Sequence, residues 1–335
     1  MTHPSSAEPR PPTLHLARAG LLATLVAAAL HGTAAQASTS ILFIGNSFTY
    51  GALASAQNYA PGTVTDLRGT NIGGVPAIFK AFTTQAGLDY NVSLETQPGS
   101  NLNYHYDTAA VRPLIDKAWD KVVMHGQSNL NFAAPNNPAL ISQYTGILGT
   151  MFQAKNAAVD VFLTATWSRA DLTYVTASLW FGQPITQMGI DVNAGYNVAA
   201  ANNPSIVKQV IPLGLAWNRA ITTGFADDNP YNGITPGQVN LWATDSYHAS
   251  NLGYYLHALM DFGAITGVDP RTLGSGEVAA AALGISGAQA VALQNIAAAQ
   301  LAPVPEPATW LMCLLGCGAI GLKRLRARAT EPADA

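Results

Sequence analysis

Charge is scarce in this chain. Asp, Glu, Lys and Arg make up 10% of its 335 residues, against ~25% in an average soluble protein. A net charge of −3 argues against the basic face that a nucleic-acid partner selects. Cysteine is scarcer still. The 2 cysteines, Cys313 and Cys317, both fall in one apolar run near the C-terminus. The central segment therefore holds no disulfide framework, no thiol nucleophile and no cysteine-based zinc site. Histidines and carboxylates show no metal-site spacing, and there is no internal repeat and no long linker before about Ala302. Asn, Gln, Ser, Thr, Tyr and Gly must cover the surface in place of charge, a composition that suits an exported protein meeting sugars or other neutral polymers.

Both ends read as targeting segments. Arg10 and Arg18 precede an apolar run, Ala19 to Leu30, that leads to Ala35-Gln36-Ala37, a small-x-small cleavage site. That is the layout of a secretory signal peptide over residues 1–37, with cleavage after Ala37. At the other end, Val304-Pro305-Glu306-Pro307 is followed by an apolar span from Ala308 to Leu322 and then by Lys323, Arg324, Arg326 and Arg328. Basic residues after an apolar span favour the cytoplasmic side, but the span is shorter than the ~20 residues that cross a bilayer comfortably. The order of these three parts over residues 303–328 resembles a PEP-CTERM sorting signal. That resemblance implies transient membrane association, processing by an exosortase after signal peptidase has acted, and display at the surface or in the matrix of a Gram-negative-type bacterium.

Residues 38–302 are long enough for one domain with a full core. Apolar runs of strand length recur at Ile41–Gly45, Val92–Thr96, Lys121–His125, Val159–Ala165 and Gln209–Leu213. Such continuous runs suit a parallel sheet buried on both faces. Helical stripes fall between them: Val75, Ile78, Phe79 and Phe82; Leu140, Tyr144, Leu148 and Phe152; Leu252, Tyr255, Leu256 and Leu259. Ser286 reads as the cap of a last helix through Ala299. The alternation predicts an α/β fold, a three-layer αβα sandwich around a mainly parallel five-stranded sheet. In such sheets, sites gather at the carboxyl ends of the strands.

Chemistry is concentrated in two segments. Gly45-Asn46-Ser47-Phe48-Thr49 follows the first strand, and its serine is placed on a turn with the hydroxyl facing a cleft. Asp245-Ser246-Tyr247-His248 precedes the Leu252 helix. A serine needs a base to take its proton, histidine has the right intrinsic basicity, and a carboxylate on the far ring nitrogen fixes the tautomer. Ser47, His248 and Asp245 are therefore the candidate nucleophile, base and orienting acid. This order differs from that of the α/β-hydrolases, whose nucleophile sits mid-chain.

An early Gly-Asn-Ser block combined with a late Asp-x-x-His block resembles the SGNH (GDSL-type) hydrolase family. The resemblance runs from Ile41 to about Pro270, with Asn46 standing where many members have Asp. It implies a flavodoxin-like fold, a serine esterase needing no cofactor, and an oxyanion hole built from the serine N–H, a second-block glycine and a third-block asparagine. Gly99, in Gln97-Pro98-Gly99-Ser100, fits the second block and equally reads as a plain Pro-Gly turn. The third block departs from the common Gly-x-Asn-Asp: in His125-Gly126-Gln127-Ser128-Asn129, alignment on Gly126 puts Ser128 where the asparagine belongs. Gln127 is the first candidate donor and Asn129 the second.

Other residues have plainer readings. His125 ends a buried strand as a hydrogen-bonded core residue, and His257 packs or faces solvent on a helix. His105, close behind Gly99, lines the cleft or serves structure. Trp167 and Arg169 follow the fourth strand near the cleft mouth, with Trp167 equally suited to the core. The expected substrate is an ester, with acetylated surface polysaccharide leading. Two rival readings stay open: a noncatalytic glycan-binding surface protein, and an acyltransferase using the same triad.

Overall fold

The structure is a computed structural model that describes residues 38–302. The signal-peptide and sorting-signal segments lie outside the described residues. Among the described residues, no helix is long and apolar enough to cross a membrane.

Six strands form the sheet: β1 (Thr39–Gly45), β2 (Thr65–Asp66), β3 (Tyr90–Thr96), β4 (Lys121–Met124), β5 (Asp160–Thr164) and β6 (Val207–Ile211). Their order is β2-β3-β1-β4-β5-β6, and every pairing is parallel. The sheet thus has one strand more than the five expected. The additional β2 is two residues long at an edge and carries no apolar run, so no periodicity announces it. The last strand also lies two residues earlier than the expected Gln209–Leu213. Pro212 cannot donate to a ladder, so the strand stops at Ile211 and Leu213 opens a helix.

The helices are α1 (Ser47–Tyr50), α2 (Gly74–Gln85), α3 (Leu102–Asp107), α4 (Arg112–Ile115), α5 (Ala139–Lys155), α6 (Ala170–Tyr174), α7 (Thr186–Ala201), α8 (Leu213–Thr222), α9 (Asn251–Thr266), α10 (Val278–Ala282) and α11 (Gly287–Leu301). The three expected amphipathic stripes fall in α2, α5 and α9. Helix α11 begins with a full capping box, in which Ser286 and Gln289 satisfy each other's backbone N–H groups.

Alternation along the strands divides the core into two layers. Ile41, Phe43, Val92, Leu94, Val123 and Phe162 face the layer of α2, α8, α9 and α11. Leu42, Ile44, Val122, Met124, Val161 and Leu163 face α5 and α7. Residues 41–45 of β1 are buried without exception. Each large apolar side chain so buried contributes about 1.5–3 kcal/mol, which makes β1 the axis of the domain.

The strand order also decides where chemistry belongs. From β1 the chain runs out to β2 at one edge, returns through β3 and then crosses to β4 on the other side of β1, so β1 marks the point where the winding reverses. Ligands of open α/β sheets bind at the carboxyl ends of strands at such a point. The three strand ends are level: Gly45 pairs with Thr96 and Ile44 with Met124. The segments carrying Ser47, Gly99 and Gln127 therefore emerge side by side.

Candidate active site

Ser47 opens the four-residue helix α1, whose N-cap is Asn46. The Asn46 Oδ1 accepts the Phe48 N–H at 3.1 Å. Its Nδ2 donates to the carbonyls of Ser100 (3.0 Å) and Gly126 (2.9 Å). One buried amide thus ties the three strand-end segments together, a role that the sequence did not suggest. Gly45 is required for a different reason. A Cβ there would lie 2.1 Å from Thr49 Oγ1 and 2.5 Å from His125 Nε2, in the path of the bond those atoms make.

That bond is 2.6 Å long, and His125 Nδ1 lies 2.9 Å from the Gly126 carbonyl. A carbonyl can only accept, so Nδ1 carries the proton and Nε2 accepts from Thr49. Burial drives the His125 pKa down to about 4, which keeps the ring neutral. The core reading of His125 holds. His257 also packs inside: its Nε2 lies 3.3 Å from Asp261 Oδ2. Burial lowers the histidine and raises the carboxyl, disfavouring charge on either group.

Ser47 was expected at a surface turn, yet it is only 5% exposed. Tyr254 on α9 covers the turn, its hydroxyl lying 3.3 Å from the Ser47 carbonyl and 3.0 Å from that of Ala52. The Ser47 hydroxyl makes no hydrogen bond to a described residue, and neither does its N–H.

The Asp245–His248 loop arrives before α9. His248 Nδ1 meets Asp245 Oδ2 at 2.6 Å, while Asp245 Oδ1 accepts the N–H groups of His248 (2.9 Å) and Tyr247 (3.1 Å). Burial alone would raise the Asp245 carboxyl, but these bonds outweigh it and hold the group below its ordinary value. The side chains are 32% and 14% exposed, and His248 Nε2 makes no hydrogen bond among the described residues. The His248 ring stands edge-on to Phe48, with centroids 5.7 Å apart. His248 is thus packed against the residue next to Ser47. The Ser47–His248 hydrogen bond itself is not formed, and such bonds commonly tighten only when substrate binds.

Aromatic stacking fixes the loop. Phe48 stacks on Trp167 at 3.9 Å, and Trp167 on Trp217 at 4.9 Å. The Trp167 indole N–H donates to the Tyr247 carbonyl at 3.2 Å. Trp167 is fully buried, so it is a core residue that positions the loop. Arg169 lies over the Tyr247 ring at 3.6 Å and pairs with Asp171 through a 3.0 Å bond.

The second and third blocks converge beside Ser47. Gly99 has φ of +68°, and an added Cβ would meet no atom within 4 Å, so its face is open. Its N–H has no partner among the described residues. The Gln127 amide donates to the Gly99 carbonyl at 3.0 Å and accepts the Phe132 N–H at 2.8 Å. The group favoured as an oxyanion donor thus also holds the Gly99 carbonyl, through one of its two N–H donors. Asn129 is 6% exposed, its Oδ1 has no hydrogen-bond partner, and its Nδ2 donates to no described residue. His105 was a candidate for the cleft wall but is fully buried. A cavity of about 480 Å³ is lined by α2 residues such as Ala77, Lys80 and Ala81 and by none of the site residues above.

No family model and no curated protein matches the chain. Solved structures do. A DUF4886 family protein from Bacteroides uniformis aligns over 78% of this chain and 93% of its own, with a TM-score of 0.51 at 18% identity. A catalytic mutant of an acetylxylan esterase from Geobacillus stearothermophilus aligns over 66% and 91%, with 0.40 and 14%. A lipase from a goat rumen metagenome aligns over 69% and 98%, with 0.41 and 12%. What the Bacteroides uniformis protein shares with this chain is the fold.

Proposed function

We propose that this chain is an exported serine esterase that removes acetyl or other short acyl groups, with surface polysaccharide as the substrate class. The observation that carries the reading is the bonded Asp245–His248 pair, packed against Phe48 beside an unencumbered Ser47 at the switch point of the sheet. Asp245 holds the proton on His248 Nδ1 and leaves Nε2 free to act as base. His248 takes the Ser47 proton as the hydroxyl oxygen attacks the ester carbonyl. The N–H groups of Ser47 and Gly99, with the Asn129 amide as third donor in place of Gln127, stabilise the oxyanion. The imidazolium returns its proton to the departing alcohol. Water, deprotonated by His248, then attacks the acyl-enzyme carbonyl, and the acid leaves as His248 returns that proton to the Ser47 oxygen. No step calls for a cofactor.

The substrate class rests on the charge-poor composition and on the resemblance of residues 303–328 to a sorting signal, which also supports export, exosortase processing and surface display. Acetate release from an acetylated glycan, compared with turnover of short and long p-nitrophenyl esters, tests it. Glycan deacetylation with a preference for short esters is expected. Activity confined to long acyl chains would refute the polysaccharide reading.

A further inference from the structure

A second serine–histidine–acid constellation stands directly behind the Gly99 turn. Ser100 Oγ lies 3.0 Å from His105 Nε2, and His105 Nδ1 is hydrogen-bonded to the Glu95 carboxylate. Glu95 and His105 are both fully buried. Arg68, partly exposed, reaches the other Glu95 oxygen at 3.3 Å and supplies the opposite charge that a buried carboxylate requires. The residue types and their connections match those of a catalytic triad, but their burial does not. The Ser100 hydroxyl also lies 2.9 Å from the Gln97 carbonyl, bracing the turn from within, and the ring of His105 has no solvent-facing edge.

The turn from Gln97 to Ser100 is held at several of its backbone groups. The Ser100 N–H donates to the Gln97 carbonyl at 3.2 Å, and the Gln97 N–H to the Gly45 carbonyl at 3.1 Å. Asn46 holds the Ser100 carbonyl and Gln127 the Gly99 carbonyl. Of the turn's backbone N–H groups, only that of Gly99 is left without a partner among the described residues. We infer that Ser100, His105 and Glu95 form a buried positioning network that fixes the direction of the Gly99 N–H, so that it acts on the transition state more than on substrate binding. The inference rests on the serine-esterase reading. Hydrogen bonds gain strength and rigidity when linked in a low-dielectric interior, and donors aimed in advance at a developing oxyanion are worth most.

The test is steady-state kinetics of the full chain on a short p-nitrophenyl ester, with Ser100→Ala and His105→Gln beside wild type, and peptide mapping of a fluorophosphonate label. Losing one oxyanion donor outright costs about 10²–10³ in kcat. A misdirected donor is therefore expected to cost about tenfold to a hundredfold in kcat, with KM within about twofold. Ser100→Ala removes a single oxygen and keeps the experiment readable if His105→Gln does not fold. Wild type is expected to carry its label on Ser47. Labelled Ser47 with unchanged kcat in Ser100→Ala would overturn this inference alone. A label on Ser100 would overturn both it and the esterase assignment to Ser47, and a folded wild type without label would overturn the esterase reading and this inference with it.

Discussion

Replacing Asn46 by Asp exchanges one NH2 group for an oxygen and inverts what the side chain offers its neighbours. The Nδ2 lies between two carbonyl oxygens at 3.0 and 2.9 Å, and the site is 5% exposed. A carboxylate there donates to neither carbonyl and repels both. Two hydrogen bonds worth about 1 kcal/mol each are lost, and leaving buried groups unsatisfied adds about 1–3 kcal/mol. Asn46→Asp is therefore expected to destabilise the fold by about 3–5 kcal/mol at neutral pH. The penalty should shrink in acid. The introduced carboxyl is raised in the folded state, because its protonated form can donate to one carbonyl. The folded protein then binds more protons than the unfolded chain above about pH 4, so the variant loses stability as pH rises. Urea unfolding at pH 4.5 and pH 7.5 measures both effects. A loss below about 1 kcal/mol at pH 7.5, or no dependence on pH, would refute the clamp.

The third-block assignment separates two variants. Asn129→Ala is expected to lower kcat by about 10²–10³ as the loss of a direct donor, whereas Gln127→Ala, which releases the Gly99 carbonyl and the Phe132 N–H, should cost markedly less; ester kinetics that reverse this order would return the role to Gln127. His125 predicts a pH effect on stability. Its folded pKa of about 4 lies below the ordinary ~6.5, so between those values the unfolded chain binds the extra proton and stability falls as pH falls. The loss by pH 4 is about 3 kcal/mol. Urea unfolding of His125→Gln should lack that slope, and a variant that kept it would contradict the assignment.

Much of this architecture could be read along the chain, because parallel strands buried on both faces announce themselves as apolar runs. The Asp-x-x-His spacing was equally legible, since three residues of loop suffice to bring the carboxylate to the ring. Contacts made across the sheet were not. Asn46 looks like a neutral substitute for aspartate until the Ser100 and Gly126 carbonyls are placed on either side of its amide. His105 follows Gly99 closely enough to suggest the cleft, but α3 turns it inward onto Glu95. Gln127 carries the right amide at the end of the right strand; only the position of the Gly99 carbonyl shows that it is already engaged. Ser47 reads as exposed because the segment is a turn, and the covering Tyr254 comes from a helix more than two hundred residues later.

The central claim is that Ser47 is activated by His248. Labelling of the full chain with a fluorophosphonate probe, wild type beside Ser47→Ala and His248→Ala, tests it most directly. Label on the wild type and on neither variant is the predicted result. Label persisting in Ser47→Ala, or a folded wild type that takes none, would contradict it.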